Sequence, residues 1–90
     1  MSEQTIQTSI IKYLKSEGYY VNKTGQCSVS GWPDIVAISP SGSHIYLEVK
    51  TPTGRLSPIQ REVHARLRSR DVKVYTVRSL QEAKQCLEKN

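Results

Sequence analysis

Residues 31–50 read GWPDIVAISPSGSHIYLEVK. Two apolar runs, DIVAIS and HIYLEVK, flank the turn-forming PSGS, which predicts a β-hairpin. The first run is almost continuously apolar, the pattern of a strand covered on both faces. In the second, strand alternation sends Ile45, Leu47 and Val49 to one face and Tyr46, Glu48 and Lys50 to the other. With the turn near Ser41 and Gly42, Asp34 and Glu48 stand opposite each other across the open end of the hairpin.

Two carboxylates brought together repel, and burying them is costly. A divalent cation between them resolves the conflict, and hard oxygen ligands suit Mg²⁺ or Mn²⁺ better than zinc. Lys50 lies two residues beyond Glu48 on the same face, so its ammonium reaches the same point. A metal held by two acids with a lysine beside it is equipment for hydrolysing a phosphodiester. EVK alone more often reads as a surface strand edge, and Asp34 alone as a turn cap. GWPD shifts that balance: Gly31 permits an unusual backbone angle, Pro33 stiffens the approach, and Asp34 follows at once.

Outward from the hairpin, Ser2 caps a first helix whose Ile6, Ile10, Ile11 and Leu14 form an apolar stripe, and Gly18 ends it. YYVNKTG reads as a first strand and QCSVSGWP as an irregular connection. After the TPTGRL loop, SPIQ carries a capping box in Ser57 and Gln60 with Pro58 at the first helical position. That helix is expected to reach about Arg70, with Ile59, Val63 and Leu67 turned to the core. VKVYTV is a last strand, and SLQE opens a final helix with Leu80, Ala83 and Leu87 on its apolar face. The fold class is α/β, order αβββαβα, a small mixed sheet flanked by helices.

Ninety residues, 1–90, read as one domain burying roughly two-thirds of its unfolded surface. The net charge is +5, which favours a polyanionic partner. Between Lys50 and Arg78 eight cationic residues are opposed only by Glu62 and Asp71, a local excess of six. Arg55, Arg61, Arg66, Arg68 and Lys73 are the candidate DNA contacts in that segment. A solvated arginine-rich helix face is the plainer explanation of the same charges. Cys27 and Cys86 form no CxxC and read as packed, reduced thiols. No apolar run approaches the ~18 residues of a membrane helix, so a soluble cytoplasmic protein without membrane contact is expected. Trp32 is suited to stacking on an exposed base, although core or interface packing is its default reading. His44 and His64 are expected to be dispensable beside Lys50.

The pattern G-x-P-D, a short hairpin, E-x-K, a Gly-bearing loop and S-P-x-Q opening a basic helix, from Gly31 to about Arg68, resembles the VRR-NUC domain of the PD-(D/E)xK nuclease superfamily, in its stand-alone phage and bacterial form. Asp34 and Glu48 are fourteen positions apart, which suits compact members. The resemblance implies a restriction-endonuclease-like core and a Mg²⁺-dependent endodeoxyribonuclease, with Mn²⁺ able to substitute. It implies Asp34, Glu48, Lys50 and Gln60 as catalytic residues. It further implies Glu3, Asp34, Glu48 and the Val49 carbonyl as metal ligands; for Glu3, a favourable charge at a helix N-terminus is the alternative. Stand-alone relatives are linked to four-way DNA junctions, which implies a homodimeric Holliday-junction resolvase acting on branched DNA, with Tyr19, Tyr20 and Trp32 as candidate dimer contacts. A flap- or single-strand-selective nuclease of the same fold, or a non-catalytic nucleic-acid-binding module, are the alternatives. The binding module leaves two anions beside a phosphate-binding surface unexplained.

Overall fold

The structure is a computed structural model and describes residues 2–24 and 29–88. Its elements are α1 (Glu3–Ser16), β1 (Tyr20–Lys23), β2 (Ile35–Ile38), β3 (His44–Val49), α2 (Pro58–Arg68), β4 (Lys73–Val77) and α3 (Leu80–Glu88). This is the expected αβββαβα order. Cys27 lies outside the described residues.

The helix ends follow the sequence signals. Ser2 Oγ accepts from the Thr5 N–H at 3.1 Å. Gly18, at φ 85°, closes α1: its N–H donates to the Lys15 carbonyl and that of Tyr19 to the Leu14 carbonyl. Ser57 and Gln60 form the complete capping box at the start of α2, with Pro58 following the cap. α2 stops at Arg68, two residues before the expected end, and Asp71 at φ 61° turns the chain out of the helix.

The sheet has four strands in the order β1-β2-β3-β4. The first three pair antiparallel, and β4 adds parallel to β3. A parallel partner needs a crossover, and α2 supplies it. One face of the sheet carries the main core, where Ile35, Ala37, Ile45, Leu47, Val49 and Val77 pack with Ile6, Ile10 and Leu14 of α1 and Ala83 of α3. The opposite face carries Tyr46 and Glu48, and α2 lies against it.

Two expectations need correction on that second face. β2 is not sealed on both sides: Ile35 and Ala37 are buried, but Val36 and Ile38 only half so. α2 rests over β4, leaving β2 partly open. Ile59 is also not a core residue; it is 44% exposed. The inward stripe of α2 is Gln60, Val63, His64 and Leu67, because two of its members are drawn to Glu48. Ile59 falls one position round the helix.

Gly31 sets the approach of the connection to α2. Its φ is 84°, and a Cβ there would stand 2.7 Å from the Ile59 carbonyl oxygen. Gly42 has a similar φ of 94° but open space around it. Gly31→Ala is therefore expected to cost about 2 kcal/mol or more, and Gly42→Ala only the left-handed backbone penalty of about 1–2 kcal/mol. Urea denaturation checks this: the midpoint should fall further for Gly31→Ala.

Candidate active site

The hairpin register pairs Ile35 with Leu47, so Asp34 and Glu48 follow as the next opposed positions. Asp34 Oδ2 accepts from the Val49 N–H at 2.9 Å. The Asp34 carbonyl accepts from the Thr24 N–H at 2.8 Å, and the Thr24 hydroxyl donates to the Pro33 carbonyl. The aspartate is thus fixed through its side chain and its backbone. Lys50 follows β3 directly, and its N–H donates to the Val77 carbonyl at 3.0 Å.

Glu48 is 1% exposed. Its Oε2 accepts a long bond, 3.5 Å, from Gln60 Nε2. Gln60 Oε1 meanwhile accepts from the Ser57 N–H at 2.9 Å. One side chain thereby caps α2 and touches the carboxyl. His64 Nε2 lies 3.3 Å from Glu48 Oε1. That is an ion-pair distance, yet Glu48 Oε1 and both His64 nitrogens are buried without an aligned hydrogen bond. Burial favours the neutral form of each group, so the contact is better described as polar than ionic.

The electrostatics agree. The Glu48 carboxyl is pushed up to about 8, first by burial, then by its hydrogen bond with Asp34 and the charge of Asp34. Lys50 pulls it back down, and Glu3 adds a smaller upward push. The His64 imidazole is lowered, first by burial and then by the charge of Arg68. Asp34, Glu48, Lys50 and Gln60 therefore share one neighbourhood. Glu3, in the first turn of α1, is exposed and felt there by its charge. Among the described residues no three His, Cys, Asp or Glu side chains gather into a metal-holding set. The oxygen donors on hand are the Asp34 and Glu48 carboxylates and nearby backbone carbonyls.

His64, for which the sequence implies no essential role, lies fully buried against the Glu48 carboxyl. Its position four residues after Gln60, one helical turn, is the signal that could have marked it. His44, by contrast, is exposed, with Nδ1 3.0 Å from the Gly42 carbonyl.

The cationic residues differ in freedom. Arg55, Arg61 and Lys73 are exposed. Arg66 pairs with Glu62 at 3.3 Å on the surface of α2. Arg68 directs Nε and Nη2 to the Val74 carbonyl, at 3.2 and 2.9 Å, tying α2 to β4. Arg78 clasps the loop after Lys50 through the carbonyls of Thr51, at 2.8 Å, and Gly54. Trp32 meets Tyr46 edge to face, ring centroids 5.8 Å apart at 87°.

The family model of the VRR-NUC domain matches residues 3–81. A solved structure described as a VRR_NUC domain superposes with a TM-score of 0.87 at 27% identity, covering 98% of this chain and 97% of that one. No curated protein matches the chain. The chain belongs to the VRR-NUC domain family. That makes it a nuclease of the PD-(D/E)xK type, with DNA as the implied substrate, in a superfamily generally dependent on divalent metal. No described helix is long and apolar enough to cross a membrane.

The raised Glu48 carboxyl has a consequence for stability. Its folded value, about 8, lies above the ordinary 4.5. Its contribution is fully present below the unfolded value and is lost as pH rises through the folded one. At about 1.4 kcal/mol per unit, the loss amounts to a few kcal/mol. In chelator, Glu48→Gln is expected to melt above the wild type at pH 8, with the gap closing towards pH 5. Thermal melts at both pH values measure it.

Proposed function

We propose that the protein is a Mg²⁺-dependent endodeoxyribonuclease that cuts branched DNA, Holliday junctions foremost, as a homodimer. In this reading residues 1–90 form one nuclease domain working in the cytoplasm. The observation that carries it is the convergence of Asp34 and Glu48 at the open end of the hairpin, with Lys50 next along the Glu48 face. A buried carboxyl oxygen without a hydrogen-bond partner fits a cation better than it fits water. The hard oxygen donors fit Mg²⁺, with Mn²⁺ able to substitute.

Asp34 and Glu48 would hold the ion with the Val49 carbonyl, and Glu3 would join from α1. A bound divalent ion supplies a lowered water pKa and neutralises charge on the scissile phosphate. The chain's own groups do the rest. Asp34 is oriented in advance by the Val49 N–H. Gln60 and His64 hold the Glu48 carboxyl in place from α2. Lys50 presents its ammonium to the attacked phosphate, where it orients the nucleophile and stabilises developing negative charge. Exposed Arg55, Arg61, Arg66 and Lys73, with what remains free of Arg68, supply phosphate contacts that position DNA without reading its sequence.

Two cuts in strands of like polarity call for two such sites related by a two-fold axis, which a C₂ dimer supplies. Tyr20, 79% exposed on edge strand β1, is a contact available for it.

Asp34→Ala and Glu48→Ala are expected to abolish cutting in Mg²⁺ while binding of a four-way junction persists. Lys50→Ala is expected to slow cutting by about 10²–10³-fold. Nicking and gel-shift assays on the same preparations check both, and wild-type rates for Glu48→Ala would sink this assignment. Sedimentation together with cleavage of junction, flap and linear duplex tests the finer reading: a monomer cutting all three equally would remove the resolvase and leave the nuclease.

The charge assignment makes its own prediction. Arg55→Ala with Arg61→Ala should weaken binding to unrelated sequences alike and reduce the slope of log affinity against log salt by about 2. Fluorescence anisotropy titrations over a range of salt concentrations measure it.

A further inference from the structure

Alongside α2, between residues 29–32 and the helix, a cleft of about 570 Å³ opens. Its walls are apolar: Val29, Trp32, Ile59, Val63 and Leu67. Val29 is 48% exposed and Ile59 44%, so this is unsealed apolar surface. Arg66 and Arg70 stand in its lining, together with Glu62. The Glu62–Arg66 pair is largely exposed and therefore weak, so Arg66 can exchange that partner for a phosphate. Arg70 donates to the Arg66 carbonyl at 3.2 Å and remains exposed.

The cleft adjoins the carboxyl site. Trp32 precedes Asp34 by two residues, and its ring meets Tyr46, the residue before Glu48 on the same face of β3. Gly31 holds this connection against the first turn of α2, where no Cβ fits. A tryptophan, aliphatic side chains and two guanidiniums in one lining match the chemistry of one nucleotide: an apolar π-face flanked by anions. A paired, stacked base cannot offer that face.

We infer that this cleft takes one unpaired nucleobase of the DNA substrate, with Arg66 and Arg70 against the flanking phosphates. The inference rests on the nuclease reading and deepens it. It makes the cleft a source of selectivity for DNA that carries an unpaired base, as a flap or a single-stranded end does and linear duplex does not.

Trp32 is the only tryptophan in the chain, so its emission reports on the cleft directly. The full-length protein in chelator, where no cutting occurs, is titrated with a short oligodeoxyadenylate, an abasic strand of equal length and a blunt duplex. The adenylate strand is expected to quench Trp32 saturably, and the abasic strand and the duplex are not. Val29→Ser and Ile59→Ser, both at exposed positions, should weaken the adenylate strand several-fold more than the abasic strand. Equal quenching by the abasic strand would overturn the inference, since phosphate alone would explain it. Quenching that grows with protein concentration without DNA, and is lost in Ile59→Ser, would give the cleft to a second copy and overturn it as well. A separate junction-cutting assay in Mg²⁺ keeps the two readings apart. Base-dependent quenching without cutting of any DNA supports the cleft and removes the nuclease, whereas cutting without base-dependent quenching removes the cleft alone.

Discussion

The Glu48 carboxyl is held out of water at the end of β3, and its polar neighbours come from two other elements. Asp34 precedes β2, and Gln60 and His64 project from α2. A buried carboxylate without compensation is among the most expensive groups a small domain can carry. The protein accommodates it by raising its proton affinity and surrounding it with groups that are themselves only partly satisfied. Such a cluster is poorly optimised for stability alone, and a strongly perturbed buried carboxyl is more common at functional sites than elsewhere.

α2 serves the same carboxyl. A crossover helix on a small sheet would ordinarily present aliphatic residues inward. Here its inward stripe alternates between service and packing: Gln60 and His64 meet Glu48, while Val63 and Leu67 supply apolar contact. Gln60 sits in the capping box as well, so the start of the helix and the seat of the carboxyl are a single hydrogen-bonded unit. The outward turn of Ile59 follows from this, and with it the apolar wall of the neighbouring cleft.

Much of this is legible in the sequence. The hairpin register followed from strand alternation and the PSGS turn, and it placed Asp34 opposite Glu48. Caps at Ser2 and Ser57 came from local chemistry and formed, because those hydrogen bonds span only three residues. What stayed hidden was set by distance along the chain. His64 meets Glu48 across sixteen positions, and only its place one helical turn after Gln60 sets it apart from a surface histidine. Ile59 has the residue type of a core position, but polar partners elsewhere rotated it outward. The half-open second face of β2 depended on where α2 came to rest, which periodicity does not encode.

The clasp of Arg78 on the Thr51 and Gly54 carbonyls spans 27 and 24 positions. It joins the segment leaving Lys50 to the residue just past β4. During synthesis the hairpin emerges first and can pair from local contacts alone, whereas β4 and the clasp must wait for the last part of the chain. Contacts of such separation form late, because the loop must close before they return any energy. The carboxyl-bearing strand is therefore laid down early and the walls that complete its setting arrive late. A chain released short of Arg78 would carry the acids and the lysine but not the clasp that fixes the loop leaving Lys50.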